Sequence, residues 1–191
     1  DRIRKILESR FFVECGSYSE KDKSKGALER VVVETLLCMN HFDSWKSQPK
    51  AACKYLNQNG TEEEFDIFSE HLCRLEHIIT EDLKDIFNKK DSFLFFTLFH
   101  RFSGLGMTDV KFAEFLREFG KNLRFTVRNE KGFLFDEIGR GLSTKDKQVI
   151  TDKLELLEKL LIDFLQIDKG SDQVDDETFI AESLGMDVLS L

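Results

Sequence analysis

The residues best suited to chemistry fall in a few places along the chain. His71, Cys73 and His77 lie close together, and Cys73 and His77 are four apart in a helical segment. That spacing can turn a thiolate and an imidazole toward one metal ion. A zinc site needs three or four convergent ligands, and no other segment offers an evident third and fourth. Cys73 and His77 are therefore the metal candidates by spacing, with no stoichiometric metal expected. Glu114 and Glu118 pair on one helix, but Lys111 and Lys121 beside them indicate a solvated ion-pair face. No nucleophile elbow, glycine-rich phosphate loop or His-Glu-x-x-His motif occurs. No histidine follows His100, so a histidine-based nuclease site has no place in the second half.

Arg117, Lys121, Arg124 and Arg128 are spaced by four, three and four. If the helix from Thr108 continues through Gly120, they form one row opposite Phe112, Phe115 and Phe119. Such a row is suited to nucleic-acid phosphates. The alternative is an ordinary polar face partly neutralised by Glu114, Glu118 and Glu130. Phe179 to Asp187 has the small-residue and glycine spacing of a helix-turn-helix. Its second segment, Asp187 to Leu191, lacks Arg, Lys, Asn and Gln, so base-reading chemistry is missing and a simple helical tail is expected.

Apolar periodicity predicts the elements that must position these groups. Leu28, Val32, Leu36 and Met39 share a stripe. Pro49 suits the first turn of a helix that Asn59-Gly60 stops. Thr61 to Glu64 is a capping box, and Phe65, Phe68, Leu72, Leu75 and Ile79 follow as one face. Thr80 caps a short helix. Phe93 to Phe102 carries rings on nearly every side and is expected to be the central buried helix. Phe112, Phe115, Leu116, Phe119 and Leu123 form the next stripe, from Thr108. Ser143 is expected to cap a long Leu-rich helix over Val149 to Ile167, wide enough to touch more than one neighbour. Residues 16–26 are polar, bounded by glycines, and expected to be a mobile loop. The organisation is thus a helical domain over residues 1–167, then an acidic linker and short helical tail over 168–191. The predicted fold class is all-α, a multi-helix bundle with a Phe-rich core and no sheet beyond a stray hairpin near Arg124 to Phe135.

The chain has 19 Phe against 2 Tyr and 1 Trp. Phe lacks a polar tip, so most of these rings belong inside. One proline and 11 glycines favour long elements over a turn-rich β fold. The net charge of −8 argues against whole-surface attraction to nucleic acid or anionic membrane. Residues 101–150 nevertheless hold 10 basic against 7 acidic groups. The four cysteines have no close pairing, which favours reduced thiols and a cytoplasmic setting. No apolar run approaches the ~20 residues of a membrane span, so no membrane partner is expected. The first residue is not Met, which suggests a fragment or a processed chain.

Four stretches carry a family resemblance. They are Gly26 to Arg30 opening an apolar helix, the Phe-rich helix and its successor over Asp91 to Phe119, Ser143 to Lys147 leading into a Leu-rich helix, and Phe179 to Glu182. Together these resemble the helical region that follows the ParB-like nucleotidase/nuclease domain in a prokaryotic restriction and phage-defence family. The resemblance covers most of residues 26–186. The family's Asp-Gly-Gln-Gln-Arg signature and the His-Asn-His motif of some members are absent, so no catalytic residue carries over. The resemblance implies a parent protein that cuts or hydrolyses nucleotides.

The functional expectation is an accessory helical domain that scaffolds or positions a partner or substrate. Its partner would be a catalytic domain in the parent chain or in another protein, with no cofactor. The alternatives are a nucleic-acid-binding module, taking DNA on the basic row, and an enzyme whose site is not evident from motifs.

Overall fold

The computed structural model describes residues 2–169. The helices in chain order are α1 (Arg2–Leu7), α2 (Glu20–Ser24), α3 (Ala27–Asn40), α4 (Pro49–Asn59), α5 (Glu62–Glu76), α6 (Ser92–Ser103), α7 (Asp109–Glu118), α8 (Arg124–Thr126) and α9 (Lys147–Lys169). Short 3₁₀ and π turns join several of them. Among the described residues there is no strand. Two isolated bridges occur, Ser17 with Asn88 and Arg128 with Leu134. The second is the small hairpin expected after Arg124. The fold is all-α, and no described helix is long and apolar enough to cross a membrane.

Phenylalanine organises the core around α6. Phe93, Phe95, Phe96, Phe99 and Phe102 are all buried, and four of them meet aromatic partners on different elements. Phe93 stacks on Trp45 at 5.8 Å between ring centroids. Phe96 meets Phe11, Phe68 and Phe87 at 5.1, 5.2 and 5.4 Å. Phe95 meets Phe119 at 5.4 Å, and Phe99 meets Phe112 at 5.0 Å. Most of these contacts are tilted or edge-on, the geometry that ring quadrupoles favour. The expected central helix is thus central. The α3 helix is buried more completely than one stripe predicts, because Val31, Val32 and Val33 all lie inside. The α9 helix packs on both α6 and α7, in line with its wide apolar face.

Local signals set most helix ends. Thr61 and Glu64 form the reciprocal capping box, and the Thr108 hydroxyl accepts from the Lys111 amide. Pro49 occupies the first turn of α4. Gly60 follows the last residue of that helix, and a Cβ there would lie 2.7 Å from the Leu56 carbonyl oxygen, so the position calls for glycine. Thr80 opens a 3₁₀ turn, Glu81–Ile86, without capping it through its side chain.

Two further expectations are corrected. Residues 16–26 are not simply a loop. Ser19 and Asp22 form a capping box for α2, the Tyr18 hydroxyl is buried 2.8 Å from the Ser92 hydroxyl, and the Ser17 amide donates to the Phe87 carbonyl. The polar residues that read as linker are cap and anchor groups. Ser143 does not start the long helix. Its hydroxyl closes a turn with the Lys145 amide, and the Asp146 carboxylate caps α9 by accepting from the Gln148 amide. The acidic tail lies, from residue 170 onward, outside the described residues, as does the helix-turn-helix-like segment.

Phe96 touches the most rings, so Phe96→Ala should cost about 3–5 kcal/mol of stability in urea unfolding. Phe125→Ala, at an exposed ring, should change it by no more than about 0.5 kcal/mol.

Candidate functional site

The helix carrying the basic row does not stop at Gly120. It passes through a π turn, Phe119–Leu123, into α8 and ends where Val127 becomes extended. A π turn adds a residue to one turn and so rotates the residues beyond it. The helix ends at Thr126, so Arg128 falls beyond it, in the hairpin, and the row is split. Arg117, Lys121 and Arg124 border a cavity of about 180 Å³ together with Asp82, Asp85 and Ile86. Arg128 is not among the residues lining it.

Three of the four cations engage the chain's own acceptors. Arg117 lies 3.2 Å from Asp82 Oδ2 and donates to the Thr80 hydroxyl at 3.1 Å. Arg124 grips Asp136 through two hydrogen bonds of 2.6 and 2.7 Å. Hydrogen bonding to Asp136 raises the guanidinium pKa further. Burial would push Asp136 upward, but Arg124 holds it below the ordinary carboxylate value. Arg128 donates to the Gly132 carbonyl at 2.7 Å and to Glu137 at 3.0 Å. Lys121 is exposed. Two of the three acids expected to neutralise the row do other work. Glu114 pairs with Lys111, and Glu118 accepts from Asn122. The partners came instead from residues distant in sequence or beyond the helix end.

The metal candidates do not converge with His71. Cys73 is exposed. His77 donates from Nδ1 to the Cys73 carbonyl oxygen at 2.6 Å, closing the end of α5. His71 points into the protein from the same helix, with Nε2 2.9 Å from His100 Nδ1 on α6. Among the described residues no group of three or more His, Cys, Asp or Glu side chains could hold a metal ion.

Two buried lysine sockets have no counterpart among the sequence motifs. Lys145 lies 2.6 Å from Glu34 Oε2, donates to the Lys90 carbonyl at 3.2 Å, and sits 4.1 Å from the centre of the Phe93 ring. Arg30 holds the other Glu34 oxygen at 2.6 Å. Lys153 lies 3.1 Å from Asp91 Oδ1 and 4.3 Å from the centre of the Phe135 ring. Burial lowers both lysine pKa values, and the facing carboxylates oppose that shift. A signal for one socket existed, since Lys153 shares a helix face with Ile150 and Leu157. Its partner, 62 residues earlier, carried no such signal. The Lys145 socket and the packing of Phe135 against Lys153 hold residues 127–146 to the helices, while the Lys153–Asp91 pair joins α9 to the start of α6. Trp45 Nε1 donates to the Lys145 carbonyl, and Lys131 pairs with Asp152.

No protein-family model matches the chain, and neither a curated protein nor a solved structure does.

Removing one partner of a buried ion pair strands the other charge. Asp91→Leu should therefore cost about 3–5 kcal/mol in chemical denaturation, and Asp91→Leu/Lys153→Met should recover most of that loss.

Proposed function

We propose that the chain is an accessory helical domain that scaffolds, or positions a partner or substrate for, a catalytic domain outside it. The observation that carries this reading is the clamped segment after α7. The Lys145 socket and the Lys131–Asp152 pair hold it against the helices; it presents Phe133 and Leu142 with 46% and 67% exposure, and α8 presents Phe125 just before it with 60%. Exposed aromatic side chains on a fixed scaffold suit contact with another protein. The resemblance to a helical region beside a nucleotidase/nuclease domain supports the same reading, and with it a cytoplasmic parent protein in phage defence.

A second reading, nucleic-acid binding, draws on the cavity bordered by Arg117, Lys121 and Arg124. Against it, Arg117 and Arg124 already hold carboxylates, which phosphates would have to displace.

Two measurements separate the readings. Phe125→Ser/Phe133→Ser should leave thermal unfolding within a few degrees while lowering the activity of the intact parent protein at least about tenfold, the loss of a ~1.4 kcal/mol contact. Unchanged parent activity would sink the scaffold reading. Labelled duplex and single-stranded DNA, titrated at low salt, should show no binding that Arg124→Glu/Arg128→Glu abolishes. A log–log salt slope of about three to four, lost in that variant, would favour nucleic acid instead.

A further inference from the structure

We propose that the hydrogen bond between His71 and His100 is an acid-sensitive latch between α5 and α6, closed when both imidazoles are neutral and released by protonation. His71 is buried, and its Nδ1 has no hydrogen-bond partner. Its Nε2 lies 2.9 Å from His100 Nδ1, and its ring stands edge-on to Phe99 at 5.3 Å. A hydrogen bond between two imidazoles needs one donor nitrogen and one bare nitrogen. The arrangement in which His71 Nε2–H donates to His100 Nδ1 leaves His71 Nδ1 bare. It avoids burying an N–H group with nothing to receive it.

Acid upsets that arrangement from either side. A proton on His100 Nδ1 sets two N–H groups facing each other. The bond then survives only if His71 moves its proton to Nδ1, where no acceptor waits. A proton on His71 goes to Nδ1, where no acceptor waits; the Nε2–H donation survives, but a cation is then buried against Phe99, and only opening hydrates it.

The surrounding charges do not offset this. From α5, Arg74 holds the Asp109 carboxylate of α7 at 2.6 Å, with its guanidinium 4.7 Å from the centre of the Phe99 ring. Arg74 opposes a charge on His71, and Asp109, already paired, favours it only weakly; Glu70 of α5 acts on Arg74. Arg101 of α6 opposes a charge on His100 and is bound to Glu158 of α9. Cys38 and Glu34 of α3 lie on the Arg101 side. Farther along α5, Glu76 accepts the Phe11 amide at 2.9 Å.

Burial is the first cause that lowers both imidazole pKa values, and His71 falls to about 4 from the ordinary 6.5. A group whose pKa is depressed in the closed state favours closure above its free value and loses that contribution as pH falls toward the depressed one. The latch is therefore closed above about pH 6.5 and weakens progressively toward about pH 4. With His71 alone titrating between those two values, opening should increase about 20-fold from pH 7 to pH 5.

The test is hydrogen exchange of the α5 amides at pH 7 and pH 5, corrected for intrinsic exchange. The expected result is that 20-fold gain in wild type and a gain below about threefold in His71→Phe, which keeps an aromatic ring against Phe99 but cannot take a proton. No gain in wild type, or an equal gain in the variant, would overturn the latch. Should His71→Phe fail to fold, nitrogen-15 NMR of wild-type imidazoles decides. A bare Nδ1 on His71 persisting well below pH 6 supports the latch, and protonation of His71 with a midpoint near the ordinary 6.5 rejects it.

Discussion

The burial of α6 among aromatic rings is the constraint on which the rest of the structure depends. A helix with rings on nearly every side cannot rest on a single neighbour. It needs apolar cover around its circumference, and here that cover comes from many parts of the chain. Trp45 lies on Phe93, the N-terminal turn and α5 meet Phe96, the π turn after α7 meets Phe95, and α7 meets Phe99. Phe rings fill space without requiring hydrogen-bond partners. The hub therefore fixes helix positions by shape and leaves polar groups free for other tasks.

Those tasks are mostly structural. The segment after α7 lacks regular secondary structure over most of its length, so it cannot hold its place through a helical apolar face. Lys145 secures it by reaching Glu34 inside the protein with Phe93 beside its charge, and Phe135 anchors it against Lys153 of α9. Burying such pairs is costly unless the geometry is good and the remaining polar atoms are satisfied. Arg30 on Glu34 and the Lys90 carbonyl on Lys145 meet that condition at one socket. The result is an irregular segment held to a rigid body, with aromatic side chains left facing outward.

Electrostatics follow the same logic. An arginine row inferred from spacing is a statement about one helix, whereas its available charge depends on what other elements bring near. Asp82 comes from a preceding turn and Asp136 and Glu137 from the hairpin region, and each takes one of the arginines. The histidine pair shows the converse. His71 and His100 have no sequence signature as a pair, yet packing α5 against α6 gives them a hydrogen bond in a partly buried setting.

The sequence by itself determined the all-α class, the central place of the Phe-rich helix, and caps such as Thr61 with Glu64 and Thr108. Each rests on contacts within a few residues or on a helical period, both of which are written locally. It also indicated which way the α7 stripe faces, since Phe112, Phe115, Leu116 and Phe119 are all buried. Only the tertiary structure decided that residues 16–26 are anchored by Ser17, Tyr18 and Asp22, because Ser92, Phe87 and Lys89 lie far along the chain. It alone decided that Gly120 sits in a π turn, that the helix ends before Arg128, that Lys153 finds Asp91, and that His71 turns away from Cys73 toward His100. In each case the deciding partner is brought close by packing, and a one-dimensional period carries no information about which side chain will lie across the interface.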